Sequence, residues 1–171
     1  MKRFVISNLQ LGRPNAIRKY DRPFDDVDQM KEQVIKNWNS VVGKNDLVYH
    51  LGNFAWDPKT AQDVISQLNG TIWFIPGEID DAIIELRNKG MLINNASIKP
   101  SIMPLEKMRV TISYWPLKEW PKKKDGFWSL VGHPSLEYKS NPKEKTINVS
   151  ADLWNFKPQN LEHIIGIFED L

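Results

Sequence analysis

Apolar residues recur at three- and four-residue steps at Val27, Met30, Val34, Trp38 and Val41. That spacing predicts a helix with one buried stripe, opened by Asp25 or Asp26 as N-cap. Ala61, Val64, Ile65 and Leu68 predict a second, with Pro58 in its first turn and Asn69-Gly70 at its end. Runs at 3–7, 46–50 and 71–75 read as buried strands around these helices. A short helix over 82–88 completes a β-α-β-α-β-α half. Beyond it the pattern changes. Runs at 97–103, 108–114, 126–132 and 146–150 read as strands joined by turns, and Leu161, Ile164, Ile165 and Phe168 mark a last amphipathic helix. Alternating βα units followed by a run of strands predict an α/β fold with two β-sheets and helices outside. No repeat, low-complexity segment or linker interrupts the chain, so residues 1–171 are expected to form one domain.

Composition narrows the chemistry. Hydrophobic residues make up 41% and charged residues 26%, a globular balance. The net charge of +2 argues against strong nucleic-acid binding, and Lys122-Lys123-Lys124 reads as a solvated loop. The apolar run after Met1 is too short for a leader or a membrane span, so a cytoplasmic protein with no membrane association is expected, in which the sequons at Asn69, Asn95 and Asn148 have no consequence. There is no cysteine, which excludes disulfides and thiolate metal sites. Only His50, His133 and His163 offer imidazole. His50 is read as a packing and hydrogen-bonding residue and His163 as a surface one. Trp38, Trp73 and Trp154 fall in helix or strand patterns and are read as core.

In open α/β sheets, sites form beyond the carboxyl ends of strands. Ser7-Asn8-Leu9-Gln10, Gly52-Asn53-Phe54, Gly77-Glu78-Ile79-Asp80, Ser113-Tyr114-Trp115-Pro116 and Gly132-His133-Pro134-Ser135 occupy such places. Their order and spacing resemble the calcineurin-like metallophosphoesterases of the compact bacterial and phage type, which read D-x-H, GD, GNHD, a strand-end His and GHxH. Flanking text such as Arg22-Pro23-Phe24, Asn37-Trp38-Asn39, Leu68-Asn69-Gly70, Trp115-Pro116-Leu117 and residues 148–155 adds to the resemblance, which spans nearly the whole chain. It implies a sandwich of two mixed β-sheets flanked by helices. It also implies where the family's metal ligands would lie, and there this chain departs. Asn8 and Gln10 replace the D-x-H pair, and Asn53 replaces the bridging aspartate. Glu78 and Ile79 stand for the ligand asparagine and the catalytic histidine, with Asp80 kept. Tyr114 replaces the strand-end histidine, His133 is kept, and Ser135 ends the last motif.

Two divalent cations about 3.5 Å apart need anionic ligands to offset their repulsion, and they activate a water between them. Asn8, Gln10 and Asn53 are neutral, and Ile79 can neither donate nor accept a proton. The expected outcome is an inactive homologue, a pseudoenzyme without metal or cofactor, whose amides bond to one another in the former site. His133 is either satisfied in that pocket or a surviving ligand. Asp80 is expected to cap the helix starting near Asp81, and Glu78 either neutralises a cation or reaches solvent. Trp56, Trp115, Trp120 and Trp128 fall in or near loops around the site. They either anchor a protein partner or seal the cleft. A host factor bound by a phage protein is one such partner. Two alternatives stand beside this reading. One is a weak phosphodiesterase holding a single divalent metal such as Mn or Zn. The other is a module that binds nucleotide or nucleic acid without cleavage.

Overall fold

The computed structural model describes residues 1–93, 95–133 and 138–170. The chain opens with β1 (Arg3–Ile6), α1 (Pro14–Lys19), α2 (Val27–Asn39), β2 (Leu47–His50), α3 (Pro58–Gln67), β3 (Thr71–Phe74) and α4 (Asp81–Asn88). It continues through β4 (Ala96–Ile98), β5 (Ile102–Leu105), β6 (Val110–Ser113), β7 (Trp128–Val131) and β8 (Thr146–Asn148) to β9 (Gln159–Asn160) and α5 (Leu161–Glu169). The fold is α/β with two mixed sheets. One has the order β4-β3-β2-β1-β9, parallel except for β9; the other has the order β5-β6-β7-β8, parallel except for β5.

Helices α2 and α3 start where side chains can satisfy their free amides. Asp26 accepts from the amides of Asp28 and Gln29 at 3.0 and 2.8 Å, and Asp57 accepts from that of Thr60 at 2.9 Å. Met30, Val34 and Trp38 of α2 and Ala61, Val64 and Ile65 of α3 then bury against Phe4, Ile6, Val48, Ile72 and Phe74 on one face of the first sheet. Alternate residues Val5, Tyr49 and Leu51 face the other way. They join Val110, Ile112, Trp128, Leu130, Ile147 and Val149 in a second core that α5 closes.

Two features differ from the sequence expectation. The run at 97–103 is two strands in different sheets. The amide of Lys99 still donates to Phe74 at 2.8 Å, but Pro100 has no N–H to continue, and the chain crosses to the edge of the second sheet. Pro104 is tolerated in β5 because that strand is an edge. Helix α1 and the two-residue β9 are too short to show a period. The two sheets are flanked by helices as expected, and side chains of the second sheet also bond to the loops that cross it. Thr111 Oγ1 donates to the Pro121 carbonyl at 2.6 Å and Asn148 Nδ2 to that of Tyr138 at 2.9 Å.

The strand tips carry the two sheets into contact. Ser7 pairs with Ser150 in a parallel bridge, the Ser7 amide donating to Val149 and the Ala151 amide to Ser7. A Cβ on Gly132 would overlap the Leu51 carbonyl, so only glycine lets β7 end this close to β2. Among the described residues no helix is long and apolar enough to cross a membrane.

His50 ends β2 fully buried, edge-on to Phe54 at 5.0 Å and tilted to Phe74 at 5.8 Å. Neither ring nitrogen finds a hydrogen-bond partner among the described residues, so its role is packing alone. Burial lowers its pKa from 6.5 to about 3. The unfolded chain therefore binds a proton below pH 6.5 that the folded chain refuses. Stability from this residue is complete above that pH and falls by about 1.4 kcal/mol per unit as pH drops toward the folded value. Denaturant melts of wild type and His50→Leu between about pH 7 and pH 5 check this, the variant losing less stability on acidification.

Candidate functional site

The carboxyl ends of β1, β2, β3, β6 and β7 converge on one cluster. Asn8, Gln10 and Asn53 all take left-handed backbone, with φ of 57°, 50° and 61°. Asparagine tolerates that region better than most residues and glutamine does not, so Gln10 is strained. Asn8 and Asn53 are buried side by side. Asn53 Nδ2 donates to Asn8 Oδ1 and to the Tyr114 hydroxyl, each at 3.0 Å. The Ile79 amide donates to Asn53 Oδ1 at 3.1 Å, which fixes the orientation of that side chain. Asn8 Nδ2 donates to the Gly132 carbonyl and, at 3.2 Å, to Ser7 Oγ. The expected bonding between the amides holds for this pair. Gln10 stands outside it: its Oε1 accepts from Arg13 at 3.0 Å and its buried Nε2 has no partner among the described residues.

Tyr114 fills the space beneath. Its ring lies over Gly52 and Gly77, where a Cβ on either glycine would strike it. Burial raises the phenol pKa above its usual value; the Asn53 bond opposes this and Glu78 reinforces it. The hydroxyl therefore stays protonated and donates to Glu78 Oε2 at 3.2 Å. His133 is half-buried beside this ring, 5.9 Å from its centroid and 5.3 Å from that of Trp115. Ser135 lies outside the described residues.

Asp80 corrects an expectation. Its carboxylate makes no cap bond to α4. Oδ2 accepts from the amides of Gly77 at 2.6 Å and Asn53 at 2.7 Å, and Oδ1 from that of Phe54 at 2.8 Å. One buried carboxylate thus binds the β2 and β3 loops together. Burial raises its pKa, while these three amides pull the other way.

The sequence pattern did not single out Arg22 as a site residue. Its buried guanidinium donates to the carbonyls of Asn8 at 2.6 Å and Leu9 at 2.7 Å and pairs twice with Asp152, at 2.8 and 3.0 Å. No local signal marks it, because its acid lies 130 residues away.

The tryptophans separate. Trp56 is 54% exposed with Arg13 over its ring at 4.8 Å, and Trp115 is 49% exposed. Trp120 and Trp128 are buried and so are not surface anchors: Trp120 Nε1 donates to the Phe127 carbonyl, and Trp128 packs on Phe168. Trp73 and Trp154 are half-buried rather than core.

The chain is 32% identical over 182 residues to the uncharacterized protein MJ1445 of Methanocaldococcus jannaschii, spanning 98% of this chain and 92% of the archaeal one. The chain belongs to the MJ1445 family. The crystal structure of a protein of unknown function, AQ665 from Aquifex aeolicus, superposes on this MJ1445-family fold with a TM-score of 0.72. It covers 97% of this chain and 98% of its own at 17% identity, a likeness of fold. No family model matches.

A dinuclear metal centre does not fit these residues. The oxygens of Asn8, Asn53 and Asp80 already accept amide protons, and the phenol of Tyr114 is neutral. No group of three or more acids and histidines comes together among the described residues.

Removing one partner of a buried charge pair typically costs about 3–5 kcal/mol, because the other is left uncompensated. Arg22→Ala is expected to destabilise the fold by that order in urea unfolding, and Asp152→Asn by less.

Proposed function

We propose that this chain is a metallophosphoesterase homologue that has lost hydrolysis and acts by binding a protein partner. The observation that carries the reading is the Asn8–Asn53–Tyr114 network. Neutral amides and a protonated phenol occupy the place where the family resemblance puts the bridging carboxylate and a ligand histidine. The two-sheet architecture with strand ends meeting at one cluster supports the same ancestry. So does the left-handed backbone at 8, 10 and 53, since strained conformations gather at functional sites. Partner binding draws support from Trp56 and Trp115, large aromatic side chains left about half exposed on loops at this end of the strands. Exposed tryptophans anchor interfaces out of proportion to their number.

Ile79 supplies no proton to a leaving group, so bis-p-nitrophenyl phosphate with excess Mn²⁺ is expected to show no turnover above buffer. Hydrolysis abolished by His133→Ala would instead establish a single-metal phosphodiesterase. Quantitative affinity capture from cells of the source, followed by binding of the purified partner, tests the second half. Trp56→Ala with Trp115→Ala is expected to weaken that complex by about tenfold or more, as befits interface anchors. Equal affinity of the double variant would sink the assignment of this face.

A further inference from the structure

A cavity of about 720 Å³ opens between the two crossover loops of the second sheet. It falls within the usual range of small-molecule sites, about 300–1,000 Å³. Gly126 and Phe127 lead into β7 and Lys143 to Lys145 into β8, while Pro116 and Leu117 follow β6, so the cavity runs from the starts of β7 and β8 to the loop that leaves β6. Asn8, Asn53 and Tyr114 sit at the carboxyl ends, and none of them lines it.

Its floor is apolar. Trp120 and Phe127 are buried and locked together by the 2.9 Å bond from Trp120 Nε1 to the Phe127 carbonyl. Leu117 and Tyr138 contribute walls. The rim is basic, with Lys118, Lys123, Lys143 and Lys145 against Glu144. Two of these lysines are engaged within the protein. Lys123 Nζ lies 4.5 Å over the Trp120 ring and pairs with Glu119 at 2.9 Å; Lys145 Nζ donates to the Gly126 carbonyl at 3.2 Å. Lys118 and Lys143 have no acidic partner among the described residues.

Charge is concentrated here too. Residues 116–146 hold seven lysines against four acids, a local +3 that exceeds the +2 of the whole chain. Ammonium groups at the edge of an aromatic-lined cavity match a molecule with a flat apolar body and a charged phosphate.

The geometry points to this cavity as a binding site for a nucleoside-monophosphate-sized ligand, its ring on the Trp120–Phe127 floor and its phosphate at Lys118 and Lys143. Neither Trp56 nor Trp115 of the proposed partner face lines the cavity.

Calorimetric titration of the full chain at low salt with AMP, UMP, adenosine and inorganic phosphate tests it. A monophosphate is expected to bind, with adenosine and phosphate each weaker by about tenfold or more. Lys118→Gln with Lys143→Gln is expected to weaken the monophosphate by a similar factor without moving the melting temperature. Trp56→Ala is expected to leave it unchanged. Failure of both monophosphates to bind, or equal binding by the double lysine variant, overturns the proposal. So does salt-sensitive binding of a single-stranded oligonucleotide without binding of either monophosphate, which would assign the basic loops to nucleic acid.

Discussion

The buried guanidinium of Arg22 holds the strand tips in place. It reaches the carbonyls of Asn8 and Leu9 and pairs in two-pronged fashion with Asp152, which follows β8. One side chain thereby joins the loop after β1 to the second sheet. Asn8 and Gln10 hold left-handed backbone on either side of Leu9, and such backbone persists only where its surroundings over-determine it. Arg22 from below, Gly132 from across and Asp80 through Asn53 supply that determination.

The cluster beside this clamp is held together by neutral side chains. Several carboxylates in one pocket repel unless cations lie among them. Asparagine keeps the outline of aspartate and adds a donor, so Asn8 and Asn53 attract each other. Tyr114 fills the hollow above Gly52 and Gly77 with a ring, and its hydroxyl connects Asn53 to Glu78. The carboxylate of Asp80 serves the backbone instead, accepting three amides that would otherwise lack partners.

Much of this was legible in the residues, and the exceptions share a cause. Periodicity located α2, α3, α4, α5 and the principal strands, because a helix or strand with one buried face writes its period into the chain. It ran β4 and β5 together, since which sheet a strand joins is decided by partners and not by its own side chains. The positions of Asn8, Gln10, Asn53, Asp80, Tyr114 and His133 were found by motif order. The use each is put to was not. Asp80 reads as a helix cap and is a clasp between loops. His50 reads as a packing and hydrogen-bonding residue, and among the described residues it packs without such a bond. Trp120 and Trp128 read as loop tryptophans and are interior.

By itself the sequence determined the α/β order, an N-cap for α2 at Asp25 or Asp26, the absence of thiol chemistry and the neutral amides of the strand-end loops. Those are properties of neighbouring residues or of composition. Tertiary structure decided the pairing of Arg22 with Asp152, the closeness of Gly132 to Leu51, the exposure of Trp56 and Trp115, and the basic cavity between the crossover loops. Each of these depends on groups far apart in the chain that only the packing of the two sheets brings together.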